Sequence, residues 1–348
     1  MDMSKKIRQL RYRAGLTQEQ LADRLSVSPQ AVSKWENAAA MPDIALLPTL
    51  AECFGVSIDE LFDLTKEQKL RRIESRMELE EELAADVFRD YEEFLTELSG
   101  KPEDREAALS LLADLYHHRM EADGRRVSRF AREAIRMAPE KKDCQWLLTK
   151  AEGAVAWDWN CANHSKVIDF YKEVIAGDHI EPHTPLPYFY LIDNLLADHR
   201  AKEAEEYLEA FEKLPAHRPF MAAVYRAHIA LARFDEKRAD AIMEKALADF
   251  ADEGDMLFEA AQYYARKCDY ERAIAFYEKS YAHDAQHKPR FTDALQAIAM
   301  IHEIRGEYKE AADTYDRILE NLRGEWGMTE ETAVKEAEAE RERLRKKG

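Results

Sequence analysis

Apolar positions near the start of the chain fall on two short helical faces. In the stretch LTQEQLADRLSVSPQAVSKWEN, running from Leu16 to Asn37, Leu21, Ala22 and Leu25 recur on one side of a helix. Thr17 stands before them as an N-cap, and Gln20, three residues on, can close a capping box. Ser26, Val27 and Ser28 interrupt the period. Ser28 can cap a second helix with Pro29 in its first turn, where a missing N–H costs nothing. Ala31, Val32 and Trp35 give that helix its apolar side, while Gln30, Ser33 and Lys34 occupy the opposite one. Two short amphipathic helices need a third to bury their faces, and the lead segment from Lys5 to Arg13 offers Ile7 and Leu10. The domain is completed by a helix capped by Asp43 and carrying Leu46, Leu47, Leu50, Ala51 and Phe54. Gly55 stops it, and Ser57 opens the short run IDELF.

Residues 65–98 contain neither Pro nor Gly and are expected to form one long helix. Leu70, Ile73, Met77, Ala84, Val87, Tyr91, Phe94 and Leu98 give it a three-four seam, interrupted at Glu80. Such a seam fits either a two-stranded coiled coil or packing against the helices that follow. Gly100 and Pro102 end it. Further on, Ala204, Ala239, Ala273 and Ala311 recur 35, 34 and 38 residues apart, each followed four residues later by Leu208, Met243, Tyr277 or Tyr315. A two-helix unit of about 34 residues is the signature of tetratricopeptide (TPR) repeats. About six units are expected, the earlier ones degenerate. A unit of this size cannot bury its apolar face alone, so the units must stack. The charged segment from Thr329 to Lys347 reads as a capping helix, its basic end (Arg341, Arg343, Arg345, Lys346, Lys347) suited to the negative end of the helix dipole. The expected fold is all-α, with domains at 1–64, 65–100, 101–325 and 326–348.

Composition agrees with this division. Only 11 Gly and 11 Pro in 348 residues argue against an all-β fold. The formal net charge of −18 is unevenly spread: residues 1–40 carry +3 and the remainder −21. A polyanionic partner would therefore be contacted locally and repelled elsewhere. Cys53, Cys144, Cys161 and Cys268 are too scattered for a disulfide framework or a zinc site. No apolar run approaches a membrane span and the N-terminus lacks a signal-peptide core, so a cytoplasmic chain is expected.

The blocks LTQEQLA and QAVSKWEN, then Pro42 and LAECFGVSIDELF, resemble the Cro/C1-type (XRE) helix-turn-helix domain over about Met3 to Asp63. The resemblance implies double-stranded operator DNA as a partner, bound by a homodimer at half-sites about one helical turn apart. It places Gln30, Ser33 and Lys34 on base edges. Gln18, Ser28 and Asn37 match positions that touch phosphates, and Arg11 and Arg13 could add charge nearby. Gln can pair with adenine and Lys with guanine. Trp35 and Glu36 are expected to face inward. One departure stands out: the family usually has glycine after the asparagine, and here Ala38 follows Asn37. The helix is expected either to run on or to end with Asn37 in the left-handed region.

The succession of such a domain, a connecting helix and a repeat array resembles the peptide-sensing (RRNPP-type) regulators of Gram-positive bacteria. That resemblance implies a peptide or protein ligand in the concave groove. The alternative is an adaptor whose array holds a folded partner while the N-terminal domain tethers it to DNA. The repeat register turns Phe189, Asp193, His228, Gln262, Arg266 and Gln296 inward, with Glu152 and Trp159 from a weaker unit, and Asn194 beside them could bond a peptide backbone. These residues would equally suit a wet groove or a dimer contact. His179 and His183 have metal-ligand character but sit among Pro182, Pro185 and Pro187, as in a loop spacer. Trp157 and Trp159 suit a core better than a ligand cage. No phosphate-binding glycine loop, zinc-protease motif or nucleophile with an adjacent base is present, so neither enzyme activity nor a cofactor is expected.

Overall fold

The computed structural model describes residues 3–56, 58–61, 65–140, 142–153, 163–177, 184–251 and 253–348. The chain divides into two compact units, 1–123 and 124–348.

The first unit opens with α1 (Met3–Arg13), α2 (Gln18–Leu25), α3 (Pro29–Glu36), a 3-10 turn at Ile44–Leu46, α4 (Leu47–Phe54) and α5 (Ile58–Leu61). The expected capping box forms: Thr17 Oγ1 accepts from the Gln20 amide at 3.1 Å, and the Gln20 side chain accepts from the Thr17 amide at 2.8 Å. Ser28 Oγ caps α3 through the Ala31 amide at 3.2 Å. Ile7, Leu10, Leu21, Ala22, Leu25, Val32, Trp35, Leu47, Leu50 and Leu61 bury together as one core.

The single helix expected over 65–98 is instead two, α6 (Lys66–Leu79) and α7 (Ala85–Ser99). Glu80 leaves the helix with extended backbone, φ −110° and ψ 121°. Arg76 holds its carboxylate from one turn back, at 2.5 and 2.7 Å. The His118 ring lies 2.6 Å from its carbonyl oxygen, which no longer serves a helix. The break lets Leu83 turn inward. Ile73, Leu83, Phe88, Tyr91 and Leu95 then pack with Leu111 and Leu115 of α8 (Arg105–Met137); of the seam, Ile73, Tyr91 and Leu98 are buried, Leu70, Met77, Val87 and Phe94 half-buried and Ala84 exposed. The division between the two units falls inside α8.

In the second unit, α9 (Lys142–Ala151) and α10 (Ser165–Ala176) precede four helical hairpins. These are α11 (Leu186–Ala197) with α12 (Ala201–Phe211), α13 (Pro219–Ala232) with α14 (Glu236–Asp249), α15 (Gly254–Arg266) with α16 (Tyr270–His283), and α17 (Asp293–Ile304) with α18 (Tyr308–Gly324). The final helix α19 (Thr332–Arg345) packs on α18. Ala204, Ala239, Ala273 and Ala311 lie in the second helix of each hairpin and are completely buried. Lacking bulk, they let the paired helices approach closely. Each hairpin turns through one left-handed residue: His199 (φ 58°), Phe234 (φ 61°), Cys268 (φ 59°) and Gly306 (φ 76°). The recurrence marks the hairpins as equivalent even where the glycine that conformation favours is missing. Among the described residues no helix is long and apolar enough to cross a membrane.

Candidate nucleic-acid interface and helical groove

In the first unit the inward and outward sides of α3 differ in chemistry. Val32 and Trp35 are in the core. Glu36, 4% exposed, is the inward polar residue. It accepts from Arg11 Nε at 2.6 Å, Arg11 Nη2 at 3.0 Å and Gln18 Nε2 at 2.8 Å. Arg11 also donates to the Leu16 carbonyl at 2.7 Å. This network joins α1, α2 and α3. Burial alone would push the Glu36 carboxyl up. The hydrogen bonds from Arg11 and Gln18, with the Arg8 charge, hold it below the usual carboxylate range.

Arg11 is therefore not a surface charge, as the sequence suggested; it is buried and used in the network, whereas Arg13 stays exposed. Gln18 is half-buried, with its amide turned to Glu36. On the outward side Gln30 and Lys34 are exposed and Ser33 is half-exposed. Asn37 closes the helix and accepts from Arg8 at 2.7 Å.

The end of α3 follows neither expected course. Asn37 keeps φ −101°, and Ala38 takes the left-handed position at φ 56°. The Ala39 amide then reaches back to the Lys34 carbonyl at 2.8 Å. Alanine in the left-handed region costs about 1 kcal/mol or more. Ala38→Gly is accordingly expected to stabilise the N-terminal domain by roughly 0.5–1 kcal/mol, after the entropy glycine adds to the unfolded chain. Urea unfolding reads this directly, and a loss of stability would mean that Ala38 is not strained.

In the second unit the first helices of successive hairpins bring four of the expected groove residues together. Asp193 of α11, His228 of α13, and Gln262 and Arg266 of α15 line one cavity of about 430 Å³. Tyr225 and Glu259 join them, one helical turn before His228 and Gln262. Leu196, Met221 and Val224 supply apolar wall. Arg266 Nη1 lies 3.5 Å from His228 Nδ1. Burial and the Arg266 charge lower the His228 ring to about 4, so it is neutral at physiological pH. Burial, then the Asp193 and Asp255 charges, raise Glu259 to about 7. Burial likewise lifts Asp193 to about 6, against a hydrogen bond from Tyr225 and the Arg266 charge. Water still reaches the exposed Asp193, so screening leaves little of that rise as a free-energy cost.

The other expected groove residues lie elsewhere. Phe189 packs on Phe211 and Tyr225, with ring centroids 5.4 and 6.1 Å apart. Asn194 donates to the Tyr190 carbonyl of its own helix at 2.8 Å. Gln296 donates to Thr292 Oγ1 at 3.0 Å. Glu152 pairs with Arg132 at 2.9 Å. Trp157, Trp159, Cys161, His179 and His183 lie outside the described residues. Among the described residues no cluster of His, Cys, Asp and Glu could hold a metal ion.

With this geometry the N-terminal fold defines a helix-turn-helix domain, and residues 7–61 match the family described as "Helix-turn-helix". Over 79 residues the chain is 40% identical to the HTH-type transcriptional activator BcrR of Enterococcus faecalis. That match covers 23% of this chain and 39% of the relative's length. Among solved structures, Bacillus thuringiensis PlcR in complex with the peptide PapR7 and DNA aligns over 99% of this chain and 98% of its own, at 12% identity and TM-score 0.25. Apo ComR from Streptococcus vestibularis aligns over 99% and 98%, at 14% identity and TM-score 0.26. A cysteine-to-serine variant of the Streptococcus dysgalactiae SHP pheromone receptor Rgg2 aligns over 80% and 99%, at 15% identity and TM-score 0.25.

Proposed function

We infer that this chain is a sequence-specific, DNA-binding transcriptional regulator whose stacked hairpins sense a peptide. The observation that carries the DNA half is the asymmetry of α3. Its inward residues are consumed by the core and the Arg11–Glu36–Gln18 network, while Gln30 and Lys34 are exposed on the other side. A helix held so firmly from behind can present a fixed pair of side chains to a major groove. The likeness to BcrR over this part of the chain supports the same reading. Asn37, Ser28 and Gln18 remain the candidates for phosphate contact, Gln18 through its backbone, since its amide side chain is engaged. Two copies of the domain in a homodimer would read paired half-sites. The sensing half rests on the cavity, which gathers polar side chains from three successive hairpins and so responds to the curvature of the stack.

The test is binding of the purified protein to its own upstream DNA across a salt series, beside a Gln30→Ala/Lys34→Ala variant. The wild type should prefer that DNA over scrambled duplex, and the variant should lose at least tenfold of the preference while keeping its melting temperature. Binding that is unselective, or selective and unchanged in the variant, would refute the assignment of α3.

A further inference from the structure

Several carboxylates along the hairpin stack are paired with bases of a neighbouring element. Asp255 meets Arg218 at 2.6 Å, Asp240 meets Lys267 at 2.5 Å, Glu278 meets Arg317 at 2.6 Å and Glu303 meets Arg343 at 2.6 Å. Asp193 and Glu259 differ from these four. They stand on α11 and α15 and line one cavity, yet neither forms an ion pair with a lysine or arginine among the described residues. Arg266, the basic residue in the cavity wall, lies against His228 instead.

We propose that the cavity bounded by Asp193, Tyr225, His228 and Glu259 binds a cationic group of the sensed peptide, either a lysine or arginine side chain or the terminal ammonium. This rests on the peptide-sensing reading above and adds to it the chemistry of the recognised group. The cavity, about 430 Å³, has room for one long side chain and its neighbours. Leu196, Met221 and Val224 can cover a methylene stem while its charged head meets the two carboxylates. An incoming cation would give the two carboxylates a charge-assisted partner, least screened by water at the half-buried Glu259. Burial raises the affinity of both carboxylates for protons, joined at Glu259 by the Asp193 and Asp255 charges and opposed at Asp193 by Tyr225 and Arg266. An acidic side chain would find Arg266 but would have to lie beside two carboxylates, and like charges so close disfavour it.

The experiment uses the full chain and randomised octapeptide pools with amidated C-termini. Four pools are N-acetylated and carry Lys, Arg, Glu or norleucine at one central position. A fifth has a free N-terminus and norleucine. Retention at pH 8 is measured by equilibrium dialysis and mass spectrometry. At least tenfold enrichment of the Lys or Arg pool over the norleucine pool is expected for a side-chain cation, and the same enrichment of the fifth pool for a terminal ammonium. An Asp193→Asn/Glu259→Gln variant, confirmed folded by circular dichroism, should lose the enrichment while still retaining peptide. Peptides retained without preference, or with preference for the Glu pool, overturn this inference and leave peptide sensing standing. If no pool is retained, the peptide-sensing reading fails and this inference falls with it.

Discussion

Glu36→Ala is expected to destabilise the N-terminal domain by about 3–5 kcal/mol, the cost of breaking a buried ion pair from one side. The Glu36 side chain is 1% exposed and that of Arg11 6%. Without the carboxylate, the Arg11 guanidinium keeps the Leu16 carbonyl as a partner but loses both of its hydrogen bonds to Glu36. Gln18 loses its acceptor as well. A domain of this size has a total stability of only several kcal/mol, so the variant should be close to unfolding at room temperature. Arg11→Ala should do similar damage, because it strands the carboxylate. Hydrogen exchange over residues 3–61 localises the effect, since amide protection should fall there and persist in α11 to α18. A cost below 1 kcal/mol would mean that water reaches the network.

The pH dependence of this network has a definite sign. The folded-state Glu36 carboxyl lies below its ordinary value. Its contribution is present in full above the ordinary carboxylate range and is lost as pH falls through the depressed folded value. The wild-type domain should therefore loosen in acid, and Glu36→Gln should be less stable at neutral pH but flatter below it.

Much of the N-terminal domain could be read from the sequence because its signals are local. A capping box spans three residues and an amphipathic face two turns, so Thr17, Gln20, Ser28, Val32 and Trp35 declared themselves. The Arg11–Glu36 pair joins residues 25 apart, and nothing in their spacing distinguishes a buried arginine from a surface one. Glu80 was visible as an interruption of the seam. What local pattern could not supply was the tertiary reason for a break there, namely the His118 ring against its carbonyl and the inward turn of Leu83. Ala38 shows the opposite failing: its side chain argues against the left-handed region, but the reach-back bond from Ala39 to Lys34 puts it there. In the groove, the repeat register found Asp193, His228, Gln262 and Arg266, since equivalent positions on stacked hairpins share a face. The register did not single out Glu259 and Tyr225, which stand three residues before Gln262 and His228. Their placement one turn earlier on the same faces was the available signal.

Glu259→Gln is expected to stabilise the hairpin stack at pH 8. Glu259 is half-buried, and its carboxyl rises to about 7 through burial and the Asp193 and Asp255 charges. At about 1.4 kcal/mol per pK unit, that rise corresponds to roughly 3 kcal/mol, an upper bound once groove water screens the charges. A carboxyl raised in the folded state binds more protons there than in the unfolded chain. Stability therefore falls as pH climbs from the ordinary carboxylate value through about 7, then levels off. Glutamine removes that slope and the ionised cost above it. His228 acts at the other end: held neutral down to about 4, it costs stability as pH drops below the ordinary histidine value, and the substitution leaves that limb in place. Urea unfolding at pH 5, 6, 7 and 8 should show the two proteins alike at pH 5 and diverging upward to pH 8. Equal stability at pH 8 would show that Glu259 already has a compensating cation. A carboxylate that costs stability in the free protein is worth keeping only for something it meets in the bound one. A peptide carrying the matching cation should therefore bind the wild type more tightly at pH 8 than at pH 6, and Glu259→Gln should erase most of that gain.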